Sequence, residues 1–193
     1  PRVPRTGRRL IAFLGSTIGN LDRHERPAWY AAVRAALDRD DHLLLGVHLV
    51  GDPEHLRLAY DDPAGVTAAF TTNLLHVINR ELGGDLPVGA FAHVAEWDPV
   101  EERVTLSLEA TRPITAHLTG PDLEVRFAAG ERLVVEHSHK FRVDRLRTEL
   151  AAAGLRTVAV HEAEGFASLL VRRAEHAPGA ARHGEAPRRS PDT

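Results

Sequence analysis

Apolar residues first gather in a short unbroken run, Leu10-Ile-Ala-Phe-Leu14, closed by Gly15. A run of that length without alternation suits a strand buried on both faces of a parallel sheet. Gly15-Ser-Thr-Ile-Gly-Asn20 follows as a tight turn. Asp22, with Glu25 three residues on, forms a capping-box-like pair that starts a helix. Trp29, Val33 and Leu37 recur at four-residue spacing as its apolar stripe, and Asp38-Arg-Asp-Asp41 ends it. Leu43 to Val50 reads as a second buried strand. Strand, turn, helix and strand in that order make one α/β unit.

Two helix starts follow, Asp52-Pro53 and Asp62-Pro63, each with a capping acid before a proline suited to the first turn. The second helix should run to Leu82 and stop at Gly83-Gly84, with Val66, Phe70, Leu74, Val77 and Ile78 as its core face. The period then changes to two. Ala90–Trp97, Arg103–Thr111, Ile114–Leu118, Leu123–Phe127 and Arg132–Phe141 are expected as antiparallel strands. Val143 to Ala153 is expected to be a helix closed by Gly154, before two last strands at Leu155–His161 and Ala167–Arg172. The expected organisation is an extension at 1–9, an α/β core at 10–51, an inserted α+β module at 52–140, a return to the core at 141–174, and a disordered tail at 175–193.

Composition narrows the function classes. The chain has 193 residues, 43% hydrophobic and 26% charged, as in a soluble globular protein with one real core or two small ones. A net charge of -3 with no basic stripe argues against a nucleic-acid partner. Cysteine is absent, which removes disulfides, thiolate metal sites and a cysteine nucleophile. The longest apolar run, Leu43-Leu-Leu-Gly-Val47, is too short to span a membrane, and no signal peptide is evident, so a cytoplasmic protein is expected. Methionine is absent even at position 1, and the chain is expected to be a piece of a longer protein. Lys140 is the single lysine; the other basic residues are arginine.

The run Arg132-Leu-Val-Val-Glu-His-Ser-His-Lys-Phe141 carries the most suggestive chemistry. Strand alternation puts Leu133, Val135, His137 and His139 on one side and Val134, Glu136, Ser138 and Lys140 on the other. A carboxylate beside a hydroxyl can engage both nitrogens of one imidazole. A plain solvated strand face is the alternative these residues leave open. Gly15-Ser-Thr-Ile-Gly19 imitates a hydrolase elbow, but its central residue is Thr17, and no Asp/His pattern supports a triad. It reads better as a turn whose amides can hold a carboxylate or phosphate, with Asn20 as an added donor or an ordinary cap. His137 and His139 could share one strand face as a metal pair, without a His-Glu-x-x-His motif to support them. Tyr60, at a helix-to-helix corner, is by itself more simply a buried tyrosine satisfying a carbonyl.

Taken together, these stretches resemble the S-adenosylmethionine-dependent histidine N-alpha-methyltransferases of ergothioneine biosynthesis. The resemblance rests on Phe13-Leu-Gly-Ser-Thr-Ile-Gly-Asn-Leu21, Leu44-Leu-Gly-Val-His-Leu-Val-Gly-Asp52, Ala59-Tyr-Asp-Asp-Pro-Ala-Gly-Val-Thr-Ala-Ala-Phe70, Asn73-Leu-Leu, Asn79-Arg-Glu-Leu82, Val125-Arg-Phe-Ala-Ala-Gly-Glu131 and Glu136-His-Ser-His-Lys-Phe141. It spans about residues 10 to 173 in order. It implies an α/β fold, the C-terminal half of a Rossmann-like methyltransferase sheet interrupted by an α+β substrate-binding module. The implied reaction is methylation of the alpha-amine of L-histidine to trimethylhistidine (hercynine). By resemblance Asn20 and Tyr60 bind the substrate carboxylate end, Gly15 lies along its backbone, and Glu136 and Ser138 bind the imidazole, with His137 contributing backbone between them. No catalytic base and no metal are implied.

The family usually has Asp where His48 stands and Lys where Gly51 stands, so the end of that strand is altered. No Gly-x-Gly run opens a helix here, so the main cofactor motif is expected on an N-terminal methyltransferase half, in the same or a separate chain. The competing expectations are a non-catalytic, truncated domain that at most binds histidine weakly, and a metal-binding protein built on its histidines.

Overall fold

Two segments far apart in sequence build one sheet in the computed structural model, which describes residues 7–175. Most of the expected 1–9 extension, and all of the expected tail except Glu175, lie outside the described residues. The first segment supplies β1 (Leu10–Phe13), a 3-10 turn at Thr17–Asn20, α1 (Arg26–Ala36) and β2 (His42–His48). The last supplies α4 (Val143–Ala152), β8 (Leu155–Ala163) and β9 (Phe166–Arg173). Strand order is β1-β2-β9-β8, with β1 and β2 parallel and the other pairs antiparallel.

The expectation of strands buried on both faces is corrected. In β2 and β9 the buried residues alternate, with Leu43, Leu45 and Val47 facing the same cluster as Leu169 and Val171. That cluster also holds Tyr30 and Leu37 from the α1 segment and Leu146 and Leu150 from α4. Both helices therefore cover the same side of the sheet, and alternation is what one-sided cover produces. β1 is an edge strand among the described residues, with Leu10 60% exposed.

The capping pair is real: Asp22 Oδ1 accepts from Glu25 N at 2.9 Å, and Glu25 Oε2 accepts from Asp22 N at 2.9 Å. The acidic stop after α1 does more than end a helix. Asp41 is buried; it accepts from Arg9 N at 2.9 Å, Arg9 Nε at 3.0 Å and Asp38 N at 2.8 Å, and pairs with Arg9 through a second guanidinium nitrogen. Those bonds, the Arg9 side chain first, hold its carboxyl far below the usual carboxylate range. A carboxyl with a depressed folded pKa stabilises above its unfolded pKa of about 4, and that help is lost as pH falls through the folded value. Asp41→Asn should therefore melt below the parent protein at pH 7, with the gap closing under acid; melting curves from pH 7 to pH 2 check this.

Between the two halves of that sheet lie α2 (Pro53–Leu58), α3 (Val66–Leu82), β3 (Phe91–Asp98), β4 (Arg103–Ala110), β5 (Ile114–Leu118), β6 (Leu123–Phe127) and β7 (Arg132–His139). They form a β3-β4-β7 sheet and a β5-β6 hairpin. Asp52 caps α2 by accepting from His55 N, as its Asp-Pro pair predicts. Asp62 also caps, but onto Val66 N and Thr67 N, so α3 begins after Gly65 rather than at Pro63. The predicted face of α3 shifts accordingly. Thr71 and Leu75 are buried, whereas Val66 and Phe70 are 68% and 65% exposed. Thr71 fits on the inner face because its hydroxyl has polar partners there, with Thr67 O and Ala68 O at 3.2 and 3.1 Å and His93 Nδ1 at 2.9 Å.

Candidate functional site

The strand run singled out from sequence is β7, and its geometry differs from plain alternation in one respect. Paired with β4, its register shifts between Leu106 and Ser107: Glu136 faces Leu106, but Val134 faces Ser107. Val135 is thus the extra residue of a β-bulge, and a bulge turns two consecutive side chains to the same side. Leu133 pairs with Leu108, Glu136 with Leu106 and Ser138 with Val104, and those three β4 residues are fully buried. Glu136 and Ser138 consequently share the inner face with Leu133, not the opposite one. His137 and His139 lie on the other face with Thr105 and Arg103. The solvated-face alternative is set aside: the two polar residues stand beside an apolar floor of Leu56, Ala95, Val104 and Leu106, against which Tyr60 and Trp97 pack.

Tyr60 arrives at this floor from the corner between α2 and α3. Its hydroxyl is 2.8 Å from Ser138 Oγ. Behind it, His93 Nε2 donates to Tyr60 O at 2.8 Å, while His93 Nδ1 lies 2.9 Å from the Thr71 hydroxyl. A carbonyl only accepts, so the proton of a neutral His93 sits on Nε2, and that ring locks the corner to α3. Burial pushes the Tyr60 hydroxyl pKa up, opposed by its bond to Ser138, and the charge of Glu136 adds to the rise.

Lys140, which the sequence placed on the right face but not in the site, is its third member. Its Nζ donates to Tyr60 Oη at 2.6 Å and to Ser138 Oγ at 2.8 Å, and lies 4.5 Å from the centre of the Tyr60 ring. The residue is only 4% exposed. Burial lowers its pKa to about 8, with Glu136 pulling the other way. The signal that could have found it was its being the single lysine in an arginine-rich chain. His48, at the end of β2, stacks on Phe166 with ring centres 4.4 Å apart. Burial, and then Lys140, push its pKa down to about 4, so His48 is neutral at pH 7.

The turn after β1 meets β7 from the other side. Gly19 O accepts from His139 Nδ1 at 2.9 Å, and the backbone at Gly19 packs directly on that of His139. Ser16 Oγ accepts from His48 N, and His48 O accepts from Phe141 N, so the turn, the end of β2 and the end of β7 are mutually tied. Gly15 has φ +73°, with only Thr17 Oγ1, at 3.8 Å, near where a Cβ would stand, and Asn20 is exposed with no side-chain hydrogen bond among the described residues. Both lie outside the carboxyl ends of parallel strands, the usual ligand position in α/β sheets. The structure thus joins Tyr60 to Ser138, sets Glu136 beside them, and leaves Gly15 and Asn20 on the neighbouring turn. His137 departs from the cluster by its side chain, whose Nδ1 lies 3.1 Å from Thr105 Oγ1, while its backbone stays in the strand. His139 spends Nδ1 on Gly19 O, and among the described residues no group of three or more metal-ligating side chains converges.

With this geometry in place, comparison with known proteins is informative. Histidine N-alpha-methyltransferases from Mycolicibacterium smegmatis and Mycobacterium tuberculosis are each 49% identical to the chain, over 155 and 156 residues. The matched region is 80% and 81% of this chain, but 48% and 49% of those proteins. The chain thus spans about half the length of the curated relatives it matches. Ergothioneine biosynthesis protein 1 of Schizosaccharomyces pombe is 34% identical over 76 residues, 39% of this chain and 10% of that one. The CcbJ methyltransferase of Streptomyces caelestis superposes with a TM-score of 0.46 at 12% identity, covering 90% of this chain and 61% of the other. A family described as histidine-specific, SAM-dependent methyltransferase matches residues 1–173, so the chain, with its Tyr60, Ser138 and Glu136 cluster, belongs to that family.

Proposed function

We propose that this chain supplies the amino-acid-binding side of a histidine N-alpha-methyltransferase, with L-histidine as substrate and S-adenosylmethionine as methyl donor. The observation that carries the reading is the pairing of an acceptor, Glu136, with the hydroxyl cluster of Tyr60 and Ser138 on one buried strand face. An imidazole with one N–H and one bare nitrogen matches that pair. Ring selectivity follows, since a side chain without ring nitrogens leaves these polar groups unpaired at about 1–3 kcal/mol each. Gly15 and Asn20 are assigned to the amino-acid backbone and carboxylate; Tyr60, which the resemblance puts with Asn20 at the carboxylate end, is assigned instead to the ring end, because its hydroxyl lies 2.8 Å from Ser138 Oγ. Residues 52–140 act as the substrate module, and 10–51 with 141–174 as part of the methyltransferase core.

The described residues do not by themselves fit the donor. Gly19, the second glycine of the turn, is closed by His139 O, and Asp52, the acid after β2, is committed to capping α2. A donor cradle is assigned to the part of the relatives' length that this chain does not span, on the same or a separate polypeptide. Methyl transfer needs a neutral amine held in line with the donor carbon, so positioning by the acceptor site is the contribution assigned here. A reading as a non-catalytic histidine binder is favoured by that missing cradle. No helix among the described residues is long and apolar enough to cross a membrane.

Mass spectrometry of L-histidine incubated with S-adenosylmethionine and this chain, alone and with a protein supplying the other half, decides the matter. Successive methyl gains are expected in the complemented mixture. Histidine binding without any methyl gain would leave the binder reading; no binding would overturn both.

A further inference from the structure

We infer that Lys140 is a specificity-determining positioning residue, whose ammonium group directs the hydroxyl protons of Tyr60 and Ser138 so that the site takes an aromatic ring with a bare nitrogen in its neutral form. This rests on the histidine reading above and asks how that pocket tells one ring state from another.

The argument is a count of protons and lone pairs. An ammonium group only donates, so Tyr60 Oη and Ser138 Oγ each give Lys140 a lone pair, at 2.6 Å and 2.8 Å. The two oxygens are 2.8 Å from each other, so one hydroxyl proton lies between them. Two hydroxyl protons exist and one is used, which leaves a single O–H to face a ligand. When Tyr60 is the donor to Ser138, both lone pairs of Ser138 are filled and its proton is left for another acceptor. Lys140 thus turns an amphoteric hydroxyl pair into a donor.

Glu136, on the same face, is an acceptor when ionised. Donor and acceptor together complement a ring bearing one N–H and one bare nitrogen. An imidazolium carries two N–H groups and a charge, and it would meet the like charge of Lys140. Of the other groups facing Lys140, His48 from β2 stays neutral and Tyr60 from the α2–α3 corner is kept protonated by burial, so neither offsets the ammonium, whereas ionised Glu136 from β7 offsets it in part and helps hold it charged.

A chain with one lysine makes the test direct. Protein labelled with carbon-13 and nitrogen-15 lysine has a single lysine side-chain signal to follow. L-histidine should shift that signal at pH 7, whereas L-alanine and L-phenylalanine should not. Calorimetry should show histidine affinity rising with pH through the free ring's pKa of about 6.5. In Lys140→Met, histidine affinity should fall roughly tenfold with alanine affinity unchanged, and the pH rise should flatten.

Histidine binding with an unmoved lysine signal would overturn the role of Lys140 while leaving the histidine reading intact. So would a Lys140→Met protein with the parental pH profile, or one that loses histidine and alanine equally. Histidine failing to bind at any pH would overturn both. If Lys140→Met does not fold, the signal of the unaltered protein still decides.

Discussion

Gly19→Ala should destabilise the protein by about 1–3 kcal/mol and loosen the turn after β1 from β7. The added Cβ would lie 2.7 Å from His139 O and 3.4 Å from His139 N, and these are backbone atoms of a paired strand that cannot rotate away. Gly19 is buried and has no left-handed φ, so the cost comes from contact and not from conformational strain. Nothing lies within 4 Å of a Cβ built at Gly51, which makes Gly51→Ala a fair control, expected to stay within about 0.5 kcal/mol. Urea denaturation of the three proteins checks both values. Equal midpoints for Gly19→Ala and the parent would show that the turn and β7 are not packed as described. Because Asn20 and Gly15 ride on the same turn, amino-acid affinity should fall along with stability.

Glu136→Ala is expected to have the largest effect on ligand choice. Removing the carboxylate leaves a ring N–H without its acceptor, and hydrogen bonds to charged groups contribute about 1.5–3 kcal/mol. Histidine affinity should fall by roughly 10- to 150-fold, with alanine affinity nearly unchanged, as read by calorimetry. The fold should survive, since the Glu136 carboxylate makes no hydrogen bond to another described side chain and is only half-buried. Equal losses for histidine and alanine would assign Glu136 to general packing instead of ring recognition.

The sequence was a good guide where structure is local. Ile114–Leu118 and Leu123–Phe127 appear with the bounds their alternation predicted, and α4 differs by one residue at its end, because period and turn residues are written into adjacent positions. It was a poorer guide where an outcome depends on a distant partner. The bulge at Val135 is a property of the β4–β7 pair, so no inspection of β7 alone reveals that Glu136 shares a face with Leu133. On α3 the expected Ile78 does pack on the core, but Val66 and Phe70 do not, because a polar residue, Thr71, occupies the inner face and Asp62 delays the helix start. The resemblance singled out Tyr60 and Ser138, but their bond joins residues 78 apart, which only the folded chain displays. Lys140 was passed over because a lysine at a strand end ordinarily reaches into solvent.

The strand order β1-β2-β9-β8 has a bearing on how the chain reaches this form. Leu43 finds its partner in Val171, near the far end of the described residues, so the face that buries Leu43, Leu45 and Val47 stays incomplete until β9 has been made. Closing so long a loop is entropically slow, and the nearby β3-β4 and β5-β6 pairings can form first. During synthesis on the ribosome the leucines of β2 therefore stay exposed at least until Phe166 and the rest of β9 have been made, a window in which a chaperone would find them. A chain stopped before Phe166 would keep its hairpins and lose the only antiparallel partner that β2 has among the described residues.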